Sequence, residues 1–353
     1  MKQTLCAAGI LFGALVSTLS IEGALAQRYA FAPAAEAPQS AATPISISTT
    51  PHWFALKSLA AGQSTDVGAL TYLYGYVLKS DNPAFGGYSA LNISADGKDL
   101  LALSDRGHVL SARISELNAE TCSFDNAVIS PLLGKGGAKL SIQAGDAESL
   151  IIKGDRAFVG FERVDRLDEY RLRGKQLDYV SPIAGLARQG FKGNNGLEAI
   201  ISIDAKTIAG ISETKNNTGA ALGVFIPVCD APPCAPLTDG FTYNVAESFS
   251  VTDIDDIDDK RALLIERSYS RATGVRVRLM EVLKSDIAPG ADVSGRLLAR
   301  LALPEHRVDN LEGISVHTNE TGETLLYLIS DDNHSARQET QLLVFRLNDE
   351  KAP

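Results

Sequence analysis

The stretch Glu148-Ser149-Leu150-Ile151-Ile152, answered after a turn by Gly160-Phe161-Glu162-Arg163, decides the fold. It reads as two short apolar strands with an acid at the open end of each. The pair recurs as Ser89-Ala90-Leu91-Asn92-Ile93 with Leu103-Ser104-Asp105-Arg106, and as Glu198-Ala199-Ile200-Ile201 with Ile211-Ser212-Glu213. Two further copies run Asp253-Ile254-Asp255-Asp256 with Leu264-Ile265-Glu266-Arg267, and Glu312-Gly313-Ile314-Ser315-Val316 with Ile329-Ser330-Asp331-Asp332. Repetition at roughly 50 residues is the mark of a propeller or a solenoid.

Side chains alternate along a strand, so Glu148 shares a face with Leu150 and Ile152, and Glu312 with Ile314 and Val316. In an antiparallel hairpin the start of one strand lies beside the end of the next. Both acids of a copy therefore meet at one sheet edge. Copies arranged around an axis would place Glu148, Glu162, Glu198, Glu213, Asp255, Glu266, Glu312 and Asp331 on a common rim. The expectation is an all-β propeller of about six blades. Residues 53–78 and 341–347 would form the sixth, closed jointly by strands from the two ends of the chain.

Residues 1–26 read as a secretory signal: Lys2, an apolar run from Leu5 to Leu19, and Ala24-Leu25-Ala26 as the cleavage site. No later stretch reaches the roughly 20 apolar residues of a membrane span, so a periplasmic or secreted protein is expected. Residues 27–51, rich in Ala, Pro, Ser and Thr, read as a flexible lead-in to a domain over residues 52–348. A net charge of −10 argues against nucleic acid as a partner and suits a cation or a small ligand. Cys229 and Cys234 flank a short Pro-containing loop, which suits either a local disulfide in an oxidising compartment or two free thiols.

Carboxylates converging from several strands suit a hard cation such as Ca²⁺, which takes about 6–8 oxygen ligands. Glu148, Glu198, Glu312 and Asp331 are the candidate metal ligands. The plain alternative is that each acid–arginine step (Asp105-Arg106, Glu162-Arg163, Glu266-Arg267) only pins one blade to the next. His108 and His334 each stand three residues past a rim acid, where an imidazole could move protons; a solvated loop histidine is the alternative. There is no Gly-x-Ser-x-Gly elbow, His-Glu-x-x-His pair or phosphate-cradling Gly-Lys-Ser/Thr loop.

Gly86-Gly87-Tyr88-Ser89-Ala90-Leu91 with Ser104-Asp105-Arg106-Gly107 resembles the opening motif of the "esterase-like activity of phytase" family. Asp146-Ala147-Glu148-Ser149, Phe161-Glu162-Arg163, Asn195-Gly196-Leu197-Glu198, Asn310-Leu311-Glu312-Gly313 and Ser330-Asp331-Asp332-Asn333 resemble its later motifs, across residues 86–345. The resemblance implies an exported propeller that hydrolyses a small-molecule phosphate ester or other ester. In that reading Asp105, Arg106, Glu162, Arg163, Glu266, Arg267 and His334 serve catalysis beside the Ca²⁺ ligands. The competing reading is a non-enzymatic propeller that binds a small ligand or an envelope partner. The Arg-His-Gly signature of histidine acid phytases is absent.

Overall fold

Turn chemistry cuts the chain into short strands. In the second copy, Gly154 (φ +63°) and Gly174 (φ +60°) each open a two-residue turn, with Lys153 facing Arg156 and Arg173 facing Gln176. A glycine with positive φ at the first turn position matches the twist of the flanking strands. The computed structural model describes residues 42–54, 65–185, 196–215, 219–229 and 238–348.

The strands form five sheets. Blade one holds Tyr88–Ile93, Asp99–Ser104, His108–Leu117 and Cys122–Pro131. Blade two holds Ala147–Lys153, Arg156–Phe161, Arg166–Arg173 and Gln176–Gly185. Blade three holds Leu197–Ser202, Thr207–Lys215, Ala221–Pro227 and Thr238–Tyr243, with Asp292–Val293 parallel at its edge. Blade four holds Ser250–Asp256, Arg261–Ser270, Gly274–Leu283 and Arg296–Ala302. Blade five holds Asn310–Thr318, Thr324–Asp331, Thr340–Leu347 and, from the other end of the sequence, Leu70–Lys79. The first strand of each blade packs against the first strand of the next, and blade five packs against blade one. The ring is a five-bladed propeller.

Among the described residues the expected sixth blade is absent. Its two segments are neighbours in blade five, where Gln341 faces Val77 and Leu343 faces Gly75. Residues 43–51, expected in the lead-in, include two edge strands: Thr43–Pro44 on blade one and Ser48–Pro51 on blade five. Residues 1–26 lie outside the described residues, as does Cys234. Among the described residues, no helix is long and apolar enough to cross a membrane.

Five hydrophobic clusters fill the five gaps between blades. Between blades four and five, for example, Leu263, Ile265 and Leu279 meet Leu326, Leu328 and Phe345. Polar clips reinforce the inner strands: the Ile314 and Val316 amides donate to Asp253 and Asp255, at 2.8 and 2.7 Å. The Ile93 amide donates to Ser315 Oγ at 2.9 Å. At Gly313 a Cβ would stand 2.9 Å from the backbone of Ala90 and Leu91, so the approach of blade five to blade one requires glycine.

Candidate active site at the propeller mouth

Each blade begins with the same irregularity. Pairing of the first two strands slips by one residue at Ser89, Glu148, Glu198, Thr252 and Glu312 in blades one to five. A bulge of this kind re-aims one side chain out of the ladder and recurs beside active sites. Across each bulge, the second strand brings up Asp105, Glu162, Glu213, Arg267 or Asp331, at or just past the last residue paired with the first strand. The Asp105, Glu162 and Glu213 amides donate to the carbonyls of Gly87, Asp146 and Gly196, at 2.8, 2.8 and 3.3 Å. Arg267 faces Ser250, and Asp331 faces Asn310.

These positions gather the expected acids at one mouth of the ring. Burial pushes the Glu148 carboxyl well above the usual range, and the charges of Glu198, Glu312, Asp146 and Glu162 push it further. Glu198 is likewise raised by burial, then by Glu213, Glu162 and Glu312, against the pull of Arg267. Burial and the neighbouring Asp146 and Glu213 bring Glu162 to about 7. Burial and Glu312 bring Asp331 to about 8. Burial lifts Glu312 to about 7, partly offset by Arg267, and Asp146 to about 6 against Arg163. These are neighbours that resist ionising together.

Among the described residues, two carboxylate sets are tight enough to share a cation: Asp146, Glu148 and Glu162, and Glu162, Glu198 and Glu213, each with ligand atoms within 4.8 Å of one another. Glu162 belongs to both. Every donor is a hard oxygen, which fits Ca²⁺ and disfavours softer ions. Ser89 fits the same scheme: its buried Oγ has no hydrogen-bond partner and holds blade one's bulge position.

The remaining expected residues divide between the mouth and the blade walls. Arg267 lies 3.2 Å from Glu312 and 4.0 Å from Glu213, so blade four sends a guanidinium where its neighbours send carboxylates. Arg163, at positive φ, reaches Asp146 at 2.6 Å. His334 Nε2 is 3.9 Å from Asp105 Oδ1. That pair crowds Gly87 (φ +65°), where a Cβ would meet Asp105 Oδ1 at 2.3 Å and His334 Nε2 at 2.7 Å. Arg106 is exposed on the outer lip. Glu312 and Asp331 border the two tight sets and are joined by Asn310 Nδ2, at 2.8 and 3.3 Å.

Two expected rim acids are elsewhere. Glu266 is fully buried in the wall, accepting from Tyr243 Oη at 2.8 Å and Arg278 at 2.7 Å. It occupies the position of Ser104, Ser212 and Ser330, one residue before the mouth. Asp255 is the inter-blade clip described above. Blade four carries the same bulge at Thr252, so Thr252 and Arg267, rather than Asp255 and Glu266, are its mouth residues. Asp146 and Glu213 complete the carboxylate sets. Asp146 stands two residues before the bulge, a signal already present in Asp146-Ala147-Glu148.

Five blades around one axis, with carboxylates re-aimed to one opening, define a β-propeller with a cation-competent acidic mouth. The family model for phytase-like proteins, described as esterase-like activity of phytase, matches residues 83–334, and the chain belongs to that family. A search of curated proteins found no match. Among solved structures, the PQQ-bound aldose sugar dehydrogenase of Streptomyces coelicolor is 12% identical, with 81% of this chain and 98% of that chain covered at a TM-score of 0.39. A luciferin-regenerating enzyme is 9% identical, with 74% and 92% covered at a TM-score of 0.37. Likenesses this remote transfer neither activity nor cofactor.

Proposed function

We propose that the protein is an exported phytase-like hydrolase that cleaves a phosphate ester, or another ester, at the acidic mouth with the help of Ca²⁺. The observation that carries this reading is the crowding of buried Glu148 and Glu162 from blade two with Glu198 from blade three, whose mutual repulsion a divalent cation would relieve. Asp146 and Glu213 would complete the ligand set, with Glu312 and Asp331 at its border. A bound Ca²⁺ would supply Lewis acidity toward the ester oxygen and lower the pKa of a bound water. Arg163 and Arg106 are suited to orient an anionic group, since a guanidinium matches two phosphoryl oxygens at once. His334 beside Asp105 is suited to hold or deliver a proton at Nε2. The leader-like residues 1–26 support export, and a Cys229–Cys234 disulfide would follow from it.

The test is hydrolysis of 4-nitrophenyl phosphate and 4-nitrophenyl acetate by the mature chain, with Ca²⁺ and with chelator. Activity lost on chelation and in Glu148→Gln is expected. Turnover indifferent to both treatments, or absent with every ester, would remove the hydrolase reading.

The ion pairs of Arg163 with Asp146 and Arg267 with Glu312 favour a second reading. With these guanidiniums already engaged, the mouth is a receptor for a cationic ligand and performs no chemistry. Ca²⁺-dependent thermal stabilisation without turnover would select it.

A further inference from the structure

A cavity of about 440 Å³ opens on the lip of the mouth, between blade one and the loop that leads to blade two. Its polar wall carries Arg106, His108 and Lys139, and its apolar wall carries Leu132, Leu140 and Ile142. No acid lines it, although the chain is strongly acidic and Asp105 is the residue next to Arg106. Among the described residues, neither the Arg106 guanidinium nor the Lys139 ammonium pairs with a carboxylate. His108 Nδ1 is buried without a hydrogen-bond partner. Burial, aided by His334 and Arg106, keeps this imidazole below its ordinary pKa and therefore uncharged at neutral pH. Ile142 is 72% exposed, an unusual position for so apolar a side chain. The volume falls in the range of small-molecule sites, which combine apolar walls with a few convergent polar groups.

Both walls run into the mouth. Arg106 follows Asp105, and the loop ends at Gly145, immediately before Asp146. The two backbones touch: a Cβ at Gly107 would lie 3.0 Å from the Gly145 carbonyl oxygen. An anionic group held by Arg106 would therefore border the carboxylate sets, while whatever it is esterified to would lie toward Leu140 and Ile142.

We propose that this cavity receives a phosphate monoester of a compact apolar alcohol, aryl or branched alkyl, in preference to a polyphosphorylated polyol. The inference rests on the hydrolase reading for its chemistry and on the cavity for its selectivity. Two cations in the lining, Arg106 and Lys139, match one phosphoryl group. A polyanion would bring surplus charge against the carboxylates a residue away, with no basic groups in the lining beyond Arg106, Lys139 and the neutral His108 to receive it. In the reaction, a water oxygen adds to phosphorus and the P–O bond to the alcohol breaks. The alcohol leaves with a proton, giving inorganic phosphate.

Phenylphosphonate, which cannot be hydrolysed, tests binding without turnover. Calorimetry on the full mature chain with Ca²⁺ should find it bound at least about tenfold more tightly than inorganic phosphate, and Ile142→Ser should erase most of that advantage. Lys139→Gln should weaken both ligands, with the thermal response to Ca²⁺ unchanged. Where turnover occurs, kcat/KM should be higher for 4-nitrophenyl phosphate than for inositol hexakisphosphate, and both substitutions should lower it through KM. Phenylphosphonate binding no better than phosphate, or insensitive to both substitutions, overturns the cavity assignment even if hydrolysis is found. Selective binding without turnover retains the cavity and removes only the hydrolase reading.

Discussion

Blades two and four begin with the same hairpin, slipped at the same place, yet they deliver opposite charge to the mouth. Blade two sends Glu148 and Glu162, and blade four sends Thr252 and Arg267. The scaffold fixes where a side chain arrives and leaves its chemistry free. Arg267 is a counter-ion built into the ring: it leans on Glu312 and Glu213 and leaves Glu148, Glu162 and Glu198 for something else to neutralise. The acid-rich side and the basic fourth blade should therefore respond in opposite ways to Ca²⁺.

The largest expected effect is on the acid side. Replacing Glu148 and Glu198 together by Gln should abolish the Ca²⁺-induced rise in Tm and lower kcat/KM for 4-nitrophenyl phosphate by at least about 100-fold. A Tm that still climbs with Ca²⁺ would break the contrast. On the basic side, Arg267→Met removes one partner of a largely buried pair. It should cost about 3 kcal/mol in chelator, read from denaturant midpoints. Saturating Ca²⁺ should recover more of this loss than it adds to the parent; equal gains in both would mean that Arg267 is not part of the charge balance.

The pH dependence sharpens the same point. Asp146, Glu162, Glu312 and Asp331 hold their protons in the native state to about 6, 7, 7 and 8, against ordinary values of 3.8 to 4.5. Between those limits the native state binds more protons than the unfolded chain, so stability must fall as pH rises. Urea unfolding in chelator should show that decline from about pH 5 to about pH 8. Saturating Ca²⁺ should flatten the curve at the alkaline end. A chelated protein that gains stability over this interval would contradict the mutual repulsion.

Smaller effects follow at the frame. Gly87→Ala places a methyl group on Asp105 and His334 at a left-handed backbone position, and should cost about 2 kcal/mol with a loss of activity. Asp255→Asn keeps an acceptor for the Val316 amide and should change stability by less than about 1 kcal/mol. Its Ca²⁺ response should match the parent, because this clip faces the neighbouring blade.

The hairpins and the mouth acids of blades two, three and five were legible in the sequence, because each acid stands at the open end of an alternating apolar strand. Blade four was not. Its mouth positions hold Thr252 and Arg267 rather than acids, and nearby acids with structural duties (Asp253, Asp255, Glu266) resemble mouth residues in the sequence. The blade count was misjudged for a different reason: the strands at residues 70–79 and 340–347 were expected to share a blade of their own, and no local sign shows that they complete the blade begun at residues 310–331. The lip cavity is assembled from a loop and two strand ends, and no single stretch announces it.

That pairing of Leu70–Lys79 with Thr340–Leu347 also dictates the order in which the molecule can be finished. The early strand can engage Ser48–Pro51 and Thr65–Val67 as soon as it emerges, and must then wait with one edge bare while the roughly 260 residues up to Thr340 are made. Four blades can assemble one after another from the growing chain. The fifth cannot, and the circle snaps shut only once residues 340–347 have been made.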